Sequence, residues 1–210
     1  MALANRGSAD VVLALCDAIH EGKERLSEID GATGDGDHGV NMNKGFALAR
    51  SRINPSMSLV DALEVLGNTL VDDIGGSMGP IYGTFFLAIA TTLDGRDLID
   101  EGTLAVALAK ANKSVMDLTG ARPKDKTLID VLSAACEELD AACAVGESFA
   151  ECLARMDEGA KRGLESTKGM QARVGRAARL GRRSIGHVDA GAASCYMILH
   201  ALAQAISLRL

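Results

Sequence analysis

Three carboxylates and four glycines fall within the ten residues Asp30-Gly31-Ala32-Thr33-Gly34-Asp35-Gly36-Asp37-His38-Gly39. Asp35 and Asp37 flank a single glycine, and in an extended segment residues two apart project to the same side. Gly31, Gly34 and Gly36 allow the loop to fold back so that Asp30 joins them. Two unit charges about 4 Å apart repel by roughly 4 kcal/mol at an effective dielectric near 20. A converged trio therefore calls for a cation, and an oxygen-only ligand set suits Mg²⁺, Ca²⁺ or Mn²⁺ rather than zinc. Asp and Gly are also the commonest turn residues. On these residues alone a plain acidic turn and a metal site weigh equally. An EF-hand is excluded, because position 12 counted from Asp35 is Phe46 where a bidentate Glu is required. No GxxxxGK[ST] phosphate loop occurs.

Elements that could position this loop are helices. Hydrophobic residues make up 48% of the 210, aromatics only 3%, and three prolines interrupt the chain. The core must be built from Ala, Leu, Ile, Val and Met, a helix-forming alphabet. The length suffices for one domain, 1–210, that buries about 70% of its unfolded surface. The pattern predicts about eight helices and no strand. They lie near Ala9–Glu24, Val40–Ser51, Leu59–Asp72, Gly75–Thr91, Thr103–Leu118, Thr127 onward, Ser148–Ser166 and Ala190–Ile206. Ser58 with Asp61, Thr127 with Asp130, and Ser148 with Glu151 have the spacing of helix N-caps and capping boxes. The expected fold is all-α, a bundle of antiparallel amphipathic helices, with closure into a ring left open.

Gly75-Gly76-Ser77-Met78-Gly79 and Gly186–Gly191 also precede helices. A helix N-terminus offers free N–H groups and a partial positive charge, and glycines let an anion approach it. The first of these reads as a phosphate cradle, although a Gly pair there is more often a tight turn. In an up-and-down bundle the even-numbered helices all start at one end. The acidic loop, the Gly75 loop, the Pro123–Lys126 loop and an arginine-rich loop, Met170–Asp189, then share one rim. That loop holds Arg173, Arg176, Arg179, Arg182 and Arg183, of which one or two are expected to face phosphate. His38 and His187 sit in rim loops, whereas His200 lies in an apolar helix and reads as a core residue. Metal, phosphate cradle and arginine together are the equipment of phosphoryl transfer.

A net charge of −6 argues against a nucleic-acid partner. The five cysteines form no CxxC pair and read as buried thiols of a reducing compartment. Residues 1–10 lack an apolar signal core, and the apolar runs Pro80–Leu93 and Ala190–Leu208 read as core helices rather than membrane spans. The expected location is the cytoplasm.

Ordered motifs along nearly the whole chain then resemble those of one family. They are Gly34-Asp35-Gly36-Asp37-His38-Gly39 with Asn41-Met42-Asn43-Lys44-Gly45-Phe46; Gly75-Gly76 through Gly79-Pro80 with Tyr82-Gly83-Thr84-Phe85-Phe86; Asp125-Lys126-Thr127 with Asp130; Gly175-Arg176-Ala177; and Arg183-Ser184-Ile185-Gly186-His187 with Asp189 and Gly191-Ala192. This set resembles the nucleotide-binding L subunit of dihydroxyacetone kinases. The resemblance implies a barrel of eight helices that holds ADP or ATP through two Mg²⁺ ions at one rim. By position it implies Asp30, Asp35 and Asp37 as Mg²⁺ ligands. Nucleotide contacts would come from His38, Asn41, Gly76, Ser77, Met78, Gly120, Thr127, Leu128, Arg176 and Asp189. No residue is implied as a covalent nucleophile.

The implied activity passes a phosphoryl group from the nucleotide to dihydroxyacetone or a related ketose held by a separate K-type subunit. The donor is either free ATP or a phosphoprotein of the phosphotransferase system that recharges bound ADP, and a homodimer stays open. Four positions depart from the family pattern. Ser77-Met78 stands where a small residue and then Ser are usual, Leu128 replaces Met, Lys124 replaces Gly and Ala190 replaces Pro. Two other readings stand beside this one: a Mg²⁺-dependent phosphohydrolase with water as acceptor, and a non-enzymatic nucleotide sensor that contacts a transcription factor.

Overall fold

The computed structural model describes all 210 residues. Eight helices follow one another around a ring: α1 (Ala9–Gly31), α2 (His38–Arg52), α3 (Leu59–Asp73), α4 (Met78–Leu93), α5 (Glu101–Thr119), α6 (Leu128–Ala144), α7 (Phe149–Thr167) and α8 (Ala190–Ser207). Each packs on the next, and α8 packs back on α1 to close the barrel. A single cluster of 54 buried residues, almost all aliphatic, fills the interior. Phe46, Phe85 and Phe86 meet edge to face within it.

The three capping boxes form as the spacing requires, at Ser58, Thr127 and Ser148. α5 is capped by Asp100, whose carboxylate accepts from the Thr103 N–H, so it starts two residues before the expected position. Small residues set the distance between neighbours. A Cβ on Gly163 of α7 would stand 2.5 Å from the Asp130 carbonyl of α6, so the two backbones touch.

Three expectations need correction. Helix α1 does not stop at Glu24; Leu26 is fully buried one heptad after Ile19, and the amphipathic stripe carries the helix to Gly31. Asp30 therefore lies in a helical turn rather than in a loop. A strand pair exists: Leu3–Ala4 (β1) pairs antiparallel with Leu98–Ile99 (β2), each too short to leave an alternating pattern. His200 is no core residue, because its side chain is 40% exposed and its Nδ1 sits 2.9 Å from Asp157. Of the apolar runs, α8 is the one helix long and apolar enough to cross a bilayer, and over half of it is buried inside the barrel.

Candidate nucleotide and metal site

A cleft of about 550 Å³ opens at the end of the barrel where α2, α4, α6 and α8 begin. It is lined from five directions: the acidic loop, the Gly75 loop, the start of α6, the arginine-rich segment and the start of α8. The end of α5 adds Leu118, Thr119 and Ala121.

The acidic side is built by local rules. Asp30 ends α1, and its carbonyl accepts the N–H groups of Thr33 and Gly34. Gly36 turns the chain with φ 77°. Asp37 is not extended, as the alternation argument assumed; it is the N-cap of α2 with φ −91° and ψ −8°. The His38 N–H points back to Asp30 Oδ2 at 3.4 Å. Gly39 presses α2 onto α1 so closely that a Cβ there would lie 1.9 Å from the Lys23 carbonyl oxygen. The fold-back brings one oxygen from each of Asp30, Asp35 and Asp37 within 4.8 Å of one another. Arg176 reaches across the cleft to pair with Asp35, and its Nη1 stands 3.9 Å from Asp37. The carboxylate trio is thus a charge cluster that attracts a cation from the opposite wall.

The four helix N-termini at this rim differ. Those of α6 and α8 are closed by their own side chains: Thr127 and Asp130 box the first, and Asp189 accepts from the Ala192 N–H at 2.8 Å. Neither α2 nor α4 has a side-chain cap bond. The first N–H of α2, on His38, is already taken by Asp30 Oδ2, so the free donors beside the carboxylates are those at the start of α4, where an anion would satisfy them. Gly75 and Gly76 flank α4 with open space where a Cβ would stand. Ser77 does not spend its hydroxyl on the helix, and Met78 packs partly into the core.

A buried polar chain supports His38. Its Nε2 lies 2.9 Å from Ser194 Oγ, which lies 2.6 Å from Tyr82 Oη, and the Tyr82 hydroxyl donates to the Gly191 carbonyl at 3.1 Å. Burial pulls the His38 pKa below its ordinary value, only partly opposed by the Asp30 charge, so the ring is neutral at neutral pH. Burial likewise raises Asp189 to about 6 against the pull of the Ala192 N–H and Lys126.

All the metal ligands and nucleotide contacts implied by the resemblance line this cleft except Gly120. Gly120 ends α5 in the left-handed conformation, φ 72°, exposed between lining residues. The expected arginine-rich loop contains a 3₁₀ segment, Arg176–Ser184, broken at Gly181. Within it Arg176 alone reaches the carboxylates, whereas Arg179, Arg182 and Arg183 are exposed. His187 offers the site its backbone carbonyl, which accepts from Lys126. Sequence reasoning passed over Lys126, Tyr82 and Ser194 as working residues. The first two stood inside quoted motifs, and Ser194 left only the faint signal of a hydroxyl within an apolar helix.

The family model described as the DAK2 domain matches residues 32–204. The chain is 33% identical over 188 residues to the PEP-dependent dihydroxyacetone kinase 1, ADP-binding subunit DhaL, of Listeria innocua, across 89% of each chain. It is 35% identical over 185 residues to the corresponding ADP-binding subunit DhaL of Escherichia coli, across 87% of this chain and 88% of that one. The crystal structure of the dihydroxyacetone kinase from C. freundii in complex with AMP-PNP and Mg²⁺ shares the fold, with a TM-score of 0.67 at 24% identity. That match covers 93% of this chain and 33% of the larger one.

Proposed function

The chain belongs to the DAK2 domain family, as a DhaL-type subunit, and on that premise we propose that it is the ADP- or ATP-binding phosphotransfer subunit of a cytoplasmic kinase for dihydroxyacetone or a related ketose. One observation carries this reading: three carboxylates stand in one cleft with the uncapped N-terminus of α4. Such a wall takes a divalent cation and a polyphosphate side by side.

The donor set fits magnesium, being all carboxylate oxygen with no His or Cys among the three. Asp30, Asp35 and Asp37 would hold two ions. Magnesium would supply neutralisation of the phosphate charge during transfer. The chain's own residues do the rest by position and charge. Backbone N–H groups at the start of α4 receive phosphate oxygens, and Gly76 lets them approach. The Ser77 hydroxyl is free to donate in place of the usual Ser one residue later, where Met78 stands. Arg176 offers a planar fork of donors to developing negative charge. Neutral His38, held by Ser194, presents its ring to the phosphates, and Asn41 adds an amide one helical turn on. The base lies between Leu128, Thr127 and the end of α5 beside Gly120, with Asp189 at its edge.

The acceptor hydroxyl belongs to a ketose brought by a K-type subunit docked over the rim. The two curated relatives are named PEP-dependent, which favours a phosphoprotein donor that recharges bound ADP over exchange with free ATP. Calorimetric titration with ADP tests the reading. Binding in the presence of Mg²⁺ and its loss in chelator are expected. Equal affinity with and without the ion would remove metal-bridged nucleotide binding.

A further inference from the structure

Lys126 has a side-chain environment unlike that of any other lysine in the chain. The residue is 1% exposed, yet no carboxylate pairs with it directly. Its Nζ donates to three backbone carbonyls: Met170 at 3.1 Å, Ser184 at 2.6 Å and His187 at 2.6 Å. An ammonium has three donors, so all are used. The acceptors stand on both sides of the arginine-rich segment, one before it and two after it. The backbone of Lys126 is itself in the left-handed region, φ 64°, where a side chain other than Gly is disfavoured. A lysine kept buried, in a disfavoured conformation and fully hydrogen-bonded has a constructive role there.

We propose that Lys126 is a positioning residue: it ties the two feet of the strap 171–183 to the start of α6 and so fixes where Arg176 stands over Asp35 and Asp37. Further bonds close the same base. The Ala172 N–H donates to Ser184 Oγ at 2.9 Å, and the Arg173 N–H donates to the Asp125 carbonyl at 3.1 Å. The span between is open and bends at Gly175, φ 71°, and Gly181, φ 55°. Its arginine side chains are exposed and Ala172, at its first foot, is its one buried residue, so little packing of its own holds it. Its shape is set at the feet, and Lys126 is the side chain that ties both of them to the start of α6.

The test uses Lys126→Met, which keeps the aliphatic stem and removes the donors. Amide exchange is read without nucleotide. Residues 172–183 should exchange at least tenfold faster, while α1 and α2 keep their protection. The consequence for the ligand rests on the proposed function. ADP affinity should fall about tenfold, and Arg176→Gln added to Lys126→Met should weaken it little further, because the arginine has already lost its place. Unchanged exchange in the strap, or losses from the two substitutions that multiply independently, would overturn the role. Wild-type protein that binds no ADP would count against the proposed function alone, since strap exchange does not need the nucleotide. The wild type supplies a second readout free of any folding defect in the variant. The Lys126 ammonium should give a slowly exchanging ¹⁵Nζ signal with its protons resolved, and a freely exchanging ammonium would contradict the proposal.

Discussion

The two walls of the cleft are built by opposite means. The acidic wall is made within about ten residues: Asp30 ends one helix, Asp37 starts the next, and a short glycine turn joins them. The arginine wall is the strap 171–183, whose feet are tied to Lys126 at sequence separations of 44, 58 and 61. One wall is rigid because its backbone is pressed against α1; the other is held at its feet by a few long-range bonds, three of them from one remote ammonium. The difference suits the chemistry. Metal ligands must hold their spacing before any ion arrives, since like charges resist convergence. An arginine that serves a transferring phosphate must meet charge that moves, and an exposed pair such as Arg176–Asp35 is worth no more than about 1 kcal/mol. It can be exchanged for phosphate at little cost.

This contrast can be broken or sharpened by substitution. The largest effect should come from the acidic wall. In Gly39→Ala the new methyl would collide with the Lys23 carbonyl and the Ser27 backbone, with a loss of about 3 kcal/mol in chemical unfolding. A loss under about 1 kcal/mol would show that the α1–α2 contact is softer than the structure implies.

A smaller effect, dependent on pH, belongs at the foot of the strap. Asp189 has its pKa raised to about 6 by burial, against 3.8 for an ordinary Asp. Between pH 4 and 6 the unfolded chain ionises first, so the native state loses the relative stability it had at lower pH. Wild type should therefore lose on the order of 2 kcal/mol relative to Asp189→Asn over that interval, with no further change above it. Parallel curves for the two proteins would place the carboxylate in water. The smallest effect concerns Lys124, which stands at φ 77° where the family pattern has Gly. Lys124→Gly should raise stability by about 1 kcal/mol, read as a shifted denaturation midpoint. A decrease would mean that the lysine side chain holds something the backbone angle conceals.

The same division decided what the sequence disclosed. The helices were legible because caps, amphipathic stripes and short connections are local, whereas closure into a barrel was implied by the family resemblance. The acidic trio, the Gly75 loop and Arg176 were legible as residue types and as a family resemblance, and alternation of helix ends correctly gathered them at one rim. The local geometry behind them was less so. Asp35 and Asp37 were expected to align in an extended segment, whereas a helix end, a turn and an N-cap bring the carboxylates together. Lys126, Ser194 and Tyr82 escaped because their roles depend on partners far away in sequence: the Tyr82–Ser194 bond spans 112 positions. A backbone angle such as that of Lys126 has no signature in residue type. Gly120 was placed by resemblance among the nucleotide contacts, and the structure puts it just behind the lining residues on either side.

The central claim is that Asp30, Asp35 and Asp37 hold divalent ions for a nucleotide. Manganese, which reports its bound state by electron paramagnetic resonance, tests it most directly. With saturating ADP the account predicts about two Mn²⁺ held per chain, and in Asp35→Asn an affinity weaker by at least about a hundredfold with helicity by circular dichroism retained. Mn²⁺ held as tightly by Asp35→Asn as by the wild type would contradict it.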